Sequence, residues 1–371
     1  MTLSLTLLLA MATTQAGIDA PASDRPVATW RLQDHLGAWH ALEDARESKV
    51  VVLAFVGTDC PLANLYAPRL AELSTKLAPR GVTFFAIDAN QQDGVTALGK
   101  FEKEHALPFP LLKDVGNELA DRLGALRTPE VFVLDQERIV RYRGRIDDQF
   151  GLGYHRPAPT EPDLQNAIEA ILAGKPVPVA RTEAVGCRIG RVRKPQDGSA
   201  VTYSKQIARI FQDRCISCHR TGEIAPFALT SYKQAAGWAE TIAEVVAERR
   251  MPPWHASSEY GTFVNNARLS DQERQLIADW VAAGAPEGDR ALLPEPAKFV
   301  EGWRIPKPDL VIDMPKEQEI PADGTVPYRY VIVDPKLDLD VWVRASQLRP
   351  GNPSVVHHIV VFVLPPGSKG P

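Results

Sequence analysis

Five consecutive residues, Cys215-Ile216-Ser217-Cys218-His219, constrain what this chain can fold into more than any other stretch. Two thiols separated by two residues can form thioethers to the vinyl groups of a porphyrin, and the histidine that follows directly supplies an imidazole to its iron. A segment carrying a group held in that way has to fold around it. The two cysteines alone also suit a redox dithiol or half of a zinc site; the adjacent histidine turns the pattern into a c-type haem signature. The expected cofactor is therefore haem c, held by Cys215, Cys218 and His219.

The flanking sequence is helical in period. Tyr203 opens a helix in which Ile207, Ile210 and Phe211 share a face and lead into Cys215. A second helix is expected over residues 231–249, with Ala235, Trp238 and Ile242 inward, and a third begins at the capping box Ser270-Asp271-Gln272-Glu273. Three helices enclosing this motif resemble a class I-like cytochrome c domain, over residues 200–285 of an all-α region bounded at 201–288. In that resemblance Pro226 matches the proline whose carbonyl receives the proximal imidazole N–H. Met251, followed by Pro252 and Pro253, is the favoured distal ligand, with His255 or an open site as alternatives.

Haem attachment of this kind demands an oxidising compartment outside the cytoplasm. The apolar run at 3–12, too short to span a bilayer, precedes Thr14-Gln15-Ala16, small at the positions of a cleavage site; residues 1–20 read as a signal peptide. No later stretch is apolar for long enough to make a membrane helix. A net charge of −4 gives no footprint for nucleic acid. The 371 residues, 44% of them apolar, allow two or three domains, and 31 prolines suggest stiff connectors between them. Four cysteines are too few for a disulfide scaffold, and the haem motif takes two, leaving Cys60 and Cys187 for thiol chemistry.

Residues 26–176 read as an α/β domain. The run 49–56 is almost continuously apolar, as in a strand buried on both faces, and ends at Gly57-Thr58-Asp59-Cys60-Pro61. A helix follows with Leu62, Leu65, Tyr66, Leu70, Leu73 and Leu77 in one stripe, then a second buried strand at 82–87 and a helix with Leu98 and Phe101. After Thr128-Pro129 come a strand to Leu134, a turn, and an antiparallel strand over 139–146 with Arg141, Arg143 and Arg145 on one face. A last helix is expected at 162–172.

This order, with a cysteine at the end of a buried strand and a Thr-Pro before a later one, resembles the thioredoxin-like fold, in its redoxin and peroxiredoxin branch. The resemblance implies a cis Pro129 opposite a reactive Cys60. It departs from the family twice. Ala63 stands where a CxxC motif has its second thiol, and Gly57 stands three residues before Cys60, where peroxiredoxins place threonine. One-cysteine chemistry on a peroxide or disulfide then needs another thiol to complete the cycle. A helix N-terminus favours the Cys60 thiolate, whereas the charge of Asp59 opposes it. Thr58 is a candidate donor to a peroxide oxygen, Arg141 and Arg143 (or Arg145) candidate stabilisers of the thiolate, and Cys187 a possible resolving partner, an inert or intermolecular cysteine being the alternative.

Residues 177–200, rich in proline, glycine and basic residues, read as a linker or strap, and 289–305 as a second linker. Residues 306–371 contain short apolar runs at 310–314, 328–333, 339–345 and 354–363, expected to be strands opening an all-β sandwich. His357-His358 resembles the first ligand pair of ascorbate-dependent type II copper monooxygenases, which would add a copper site, although a third histidine does not follow and the stretch reads as a partial domain. The expectation is an exported, multidomain oxidoreductase pairing thiol chemistry at Cys60 with one-electron transfer to a partner protein. A plain electron carrier with a redoxin docking module, or an accessory part of a copper monooxygenase, are the alternatives.

Overall fold

The computed structural model describes residues 25–300, 302–321, 326–356, 359–365 and 367–368. The expected signal peptide and the pair His357-His358 lie outside the described residues. The chain divides into two units, residues 1–191 and 192–371.

The first unit is built on a mixed sheet. Its elements are β1 (Arg31–Asp34), β2 (Trp39–Ala41), β3 (Val50–Val56), α1 (Pro61–Leu77), β4 (Val82–Asp88), α2 (Val95–Glu104), β5 (Leu111–Lys113), α3 (Glu118–Leu123), β6 (Arg127–Thr128), β7 (Glu130–Leu134), β8 (Val140–Gly144), the two-residue strands β9 (Phe150–Gly151) and β10 (Tyr154–His155), α4 (Asp163–Leu172) and β11 (Cys187–Arg188). Seven strands form one sheet in the order β2-β1-β5-β4-β3-β7-β8. Strands β3, β4 and β5 run parallel, while β7 and β8 return antiparallel on one side and the β1–β2 hairpin on the other.

All seven residues of β3 are buried, which is why its sequence is an unbroken apolar run rather than an alternating one. Val50, Val52, Ala54 and Val56 pack under α1, α2 and α4 against Leu70, Leu98 and Ile168. Val51, Leu53 and Phe55 face the other way, onto Trp30, Leu42, Leu119 and Ile189. Each such side chain, fully buried, stabilises the fold by about 1.5–3 kcal/mol. Helix α1 begins where expected, with Cys60 as its N-cap and Pro61 in its first turn.

Three sequence expectations change. The linker expected at 177–200 divides at residue 191. Residues 180–191 are bound along their length to the first unit: Arg143 N donates to Ala180 O, Thr182 N to Arg143 O, Ile189 N to Leu126 O, and Gln91 N to Gly190 O. The basic, aperiodic composition of this strap conceals one wholly buried side chain, Ile189, that anchors it.

In the second unit a π-turn (Tyr203–Ile207) leads into α5 (Ala208–Arg214), followed by α6 (Tyr232–Gly237), α7 (Ala239–Ala247) and α8 (Asp271–Ala282). Trp280, Tyr203 and Phe211 form its centre through mutual ring contacts. The single helix expected over 231–249 is two, separated at Trp238, whose ψ of 5° leaves the helical range. Ser270 caps α8 as expected: its hydroxyl accepts from Glu273 N and its own N–H donates to Glu273 Oε2.

The third change concerns the carboxyl-terminal region. Among the described residues, 302–368 contain no strand, so these residues do not form the sandwich opening expected at 306–371; only the short turn Pro353–Val355 is regular. Alternating apolar residues become a strand only when a neighbour takes their N–H and C=O groups and a second layer covers the apolar face. Here Trp342 is 101% exposed and Leu339 81%. No described helix is long and apolar enough to cross a membrane.

Candidate functional site

Cys60 sits at the carboxyl end of the central strand region, where β3 hands over to α1. Its exposure is 0%. The Sγ–H donates to Thr128 O at 2.9 Å, and Asn64 Nδ2 holds the turn by donating to both Thr58 O and Cys60 O. The Thr128–Pro129 peptide is cis, as the resemblance implied. Gly57 is required by crowding: a Cβ there would lie 2.6 Å from Asn90 Nδ2 and 3.1 Å from Thr128 Oγ1.

The strap closes over this turn. β11 pairs antiparallel with β6, setting Cys187 opposite Thr128 and Arg188 opposite Arg127. Arg127 also donates to Gly186 O at 2.9 Å. Gly186, with φ at +154°, lets the two backbones meet; a Cβ on it would stand 2.0 Å from Thr128 O. Cys187 is thereby brought against Cys60, and both are thiols in this structure. Burial opposes ionisation of Cys60. The Cys187 thiol, the Thr128 hydroxyl and the amides of Ala63 and Cys187 outweigh it, bringing the thiol down to about 6. The Thr128 hydroxyl has no other partner, so it can turn toward the anion when one forms.

A polar cluster joins the two arms. Asp93 Oδ2 accepts from Thr58 N at 3.0 Å and from Asn90 Nδ2 at 3.1 Å, while Asn90 Oδ1 accepts from Gly190 N at 2.9 Å. Asn90 thus ties the Cys60 turn to the far end of the strap. Beneath it, Lys113 Nζ lies 2.6 Å from Asp88 Oδ1. Burial and then the charge of Asp93 raise the Asp88 carboxyl well above its ordinary range, against the pull of Lys113.

The other expected residues are placed elsewhere. Arg141 is held by Asp135, Arg143 by Glu130 at 2.9 Å and by Gly124 O, and Arg145 by Asp163. No arginine is among the groups acting on the Cys60 sulfur, and neither is Asp59, which is exposed. The single arginine face was legible in the strand period, but the carboxylates that claim it come from β7, the turn after it and α4. The Thr58 hydroxyl is enclosed without a partner. Asn90, Asp93 and Asn64 were missed; the sequence gives them no motif, and their roles follow only from the turn after β4 lying beside the turn after β3.

The second unit carries the haem motif at the end of α5. Cys215 and Cys218 lie on one tight turn, with His219 N donating to Cys215 O at 2.9 Å. Cys215 is pushed up to about 12 by burial, then by Glu273 and Cys218, whereas Cys218 is exposed. His219 Nδ1 lies 3.1 Å from Phe227 O. A carbonyl only accepts, so Nδ1 carries the proton and Nε2 keeps its lone pair. Burial lowers the histidine's pKa, against the opposing effect of that carbonyl. The ring packs on Phe227, itself stacked on Trp238 at 3.9 Å. Two thiols and an imidazole with its Nε2 available are a donor set that fits a covalently held haem. The carbonyl expected from Pro226 is that of Phe227, one residue on. Met251 stands on the loop after α7, 41% exposed.

Residues 24–143 match the AhpC/TSA family, and this part of the chain is a thioredoxin-like α/β domain with thiol–disulfide oxidoreductases among its homologues. One of these, the thiol–disulfide oxidoreductase ResA of Bacillus thuringiensis subsp. konkukian, is 33% identical over 91 residues, which are 24% of this chain and 51% of that protein. ResA of Halalkalibacterium halodurans is 28% identical over 90 residues, 24% of this chain and 50% of its own. The chain spans about half the length of the curated relatives it matches. Among solved structures, a hypothetical protein of Sinorhizobium meliloti 1021 is 30% identical, covering 45% of this chain and 93% of that one, with a TM-score of 0.42.

Proposed function

We propose that the first unit performs thiol–disulfide exchange with Cys60 and Cys187 as its redox pair. The observation that carries this reading is the antiparallel pairing of Cys187 with Thr128, which sets a second thiol against the Cys60 sulfur. Ala63 removes the usual partner within the helix turn, and the strap returns one from 127 residues downstream. Depression of the Cys60 pKa gives a reactive thiolate at neutral pH and a good leaving group in the reverse direction. Disulfides suit the site better than peroxides: activating an O–O bond needs donors aimed at its oxygens, and the three arginines of the β8 face are each committed to a carboxylate. The names of the homologues agree with this preference.

The second unit would hold haem c through Cys215 and Cys218, with His219 Nε2 toward the iron. When bound, the group supplies a one-electron Fe(III)/Fe(II) couple for exchange with a partner protein. The Phe227 carbonyl fixes the imidazole tautomer and raises its basicity, and the Phe227–Trp238 stack limits its rotation. Met251 is the proposed distal ligand. Both chemistries belong to an extracytoplasmic compartment.

The test is oxidation of the reduced full-length chain with glutathione disulfide, followed by peptide mapping. The expected product is one Cys60–Cys187 disulfide, with turnover of glutathione disulfide in the presence of a dithiol reductant and loss of that turnover in both Cys60→Ser and Cys187→Ser. Faster turnover of hydrogen peroxide than of disulfides would overturn the substrate preference.

A further inference from the structure

We propose that Cys187, and not Cys60, is the sulfur that bonds to the external partner, with Cys60 acting from behind it as the internal thiolate. This rests on the two-thiol reading above and assigns the roles within it.

Exchange requires the attacking sulfur to approach along the axis of the bond it breaks, so a sulfur reacts with a macromolecule or a glutathione only if solvent reaches it. Cys60 has no exposed surface, while Cys187 is only partly buried. The cover over Cys60 is the strap itself, and it is fastened on both sides of Cys187. Before it, the Thr182 hydroxyl meets the Tyr142 hydroxyl at 2.6 Å and accepts from Arg145 N at 3.0 Å. After it, Ile189 is wholly buried, and Gly190 donates to Asn90 and accepts from Gln91 N. A partner that avoids displacing this cover meets Cys187 first. The depressed pKa of Cys60 fits the internal role, since a low-pKa thiolate is a good leaving group.

The steps balance in both directions. To reduce a disulfide R–S–S–R, the Cys187 thiolate attacks one sulfur, forming Cys187–S–S–R and releasing one thiolate, which takes up a proton. The Cys60 thiolate then attacks the Cys187 sulfur, forms the Cys60–Cys187 bond and expels the second R–S⁻. Two electrons have passed from the pair to the substrate. In the reverse direction an incoming thiolate attacks Cys187, the Cys60 thiolate leaves, and a second thiol attacks the R sulfur of the mixed disulfide, so that R–S–S–R departs.

The experiment uses the full chain. Oxidised wild type is exposed to a brief pulse of reduced glutathione, quenched in acid and mapped for glutathionylated peptides. Separately, reduced Cys60→Ser and Cys187→Ser are each mixed with glutathione disulfide at pH 8. The expected adduct in wild type is on Cys187. Cys187→Ser is expected to form its adduct on Cys60 at least about tenfold more slowly than Cys60→Ser forms one on Cys187, because the strap still covers Cys60. An adduct on Cys60 in wild type, or equal rates in the two variants, overturns the assignment while leaving the two-thiol reading standing. Failure of wild type to form any Cys60–Cys187 disulfide overturns both.

Discussion

Cys187 and Thr128 face each other across an antiparallel backbone pair, so the residue before the cis proline does two things at once: its carbonyl accepts from the Cys60 thiol and its backbone seats the second sulfur. The redox pair is therefore assembled across a strand pairing, not within a helix turn.

The first prediction concerns pH. In reduced protein, a thiolate absorbance step with a midpoint near 6 is expected, absent in Cys60→Ser and moved upward in Thr128→Val. The folded value is depressed from an ordinary 9.0, so between about pH 6 and 9 the native state binds fewer protons than the unfolded chain. Stability of the reduced form should rise with pH through that window and lose this contribution as pH falls through 6. A urea-denaturation series from pH 5 to 9, compared with Cys60→Ser, checks the sign.

Gly186→Ala should push the strap away from Thr128, because the added Cβ meets a backbone carbonyl that cannot swing aside. A backbone strain of about 1–3 kcal/mol implies that alkylation of Cys60 by iodoacetamide rises roughly five- to 150-fold. An unchanged rate would mean the strap does not shield the thiol.

Asn90→Ala removes a side chain that bonds both the Cys60 loop cluster and Gly190. Leaving Asp93 and Gly190 N with unmet hydrogen-bonding capacity should cost about 1–3 kcal/mol of stability. The equilibrium between the Cys60–Cys187 disulfide and glutathione should also shift toward the dithiol, which a merely structural loss would not require. Mass-resolved redox titration measures it.

For the second unit, protein exported from a maturation-competent host should carry one covalent haem by intact mass and pyridine haemochrome spectrum. Cys215→Ser with Cys218→Ser should carry none. Met251→Leu should keep the haem and lower its potential, since a thioether ligand favours the reduced iron.

Much of the first unit could be read from the chain. An unbroken apolar run predicted a strand covered on both faces, and Cys60-Pro61 predicted the start of α1, because buried central strands and helix N-termini impose local composition. The strap could not be read, since its attachment depends on one isoleucine and on glycines that admit another backbone, neither of which produces a period. The arginines of β8 were found on one face, but ion-pair partners arrive from elements distant in sequence. At 328–345 the short apolar runs were real and the strands were not, because a run states what would have to be covered and says nothing about whether a cover exists.

The burial of Ile189 has a practical corollary for anyone dissecting the molecule. A recombinant piece stopped at residue 176, where prolines and glycines invite the cut, would lose the second sulfur and uncover Leu53, Phe55 and Leu119 on the face that Ile189 caps. Such a fragment would report a sticky, single-thiol protein that the intact polypeptide never is; a cut beyond Arg191 keeps the pair and its lid together.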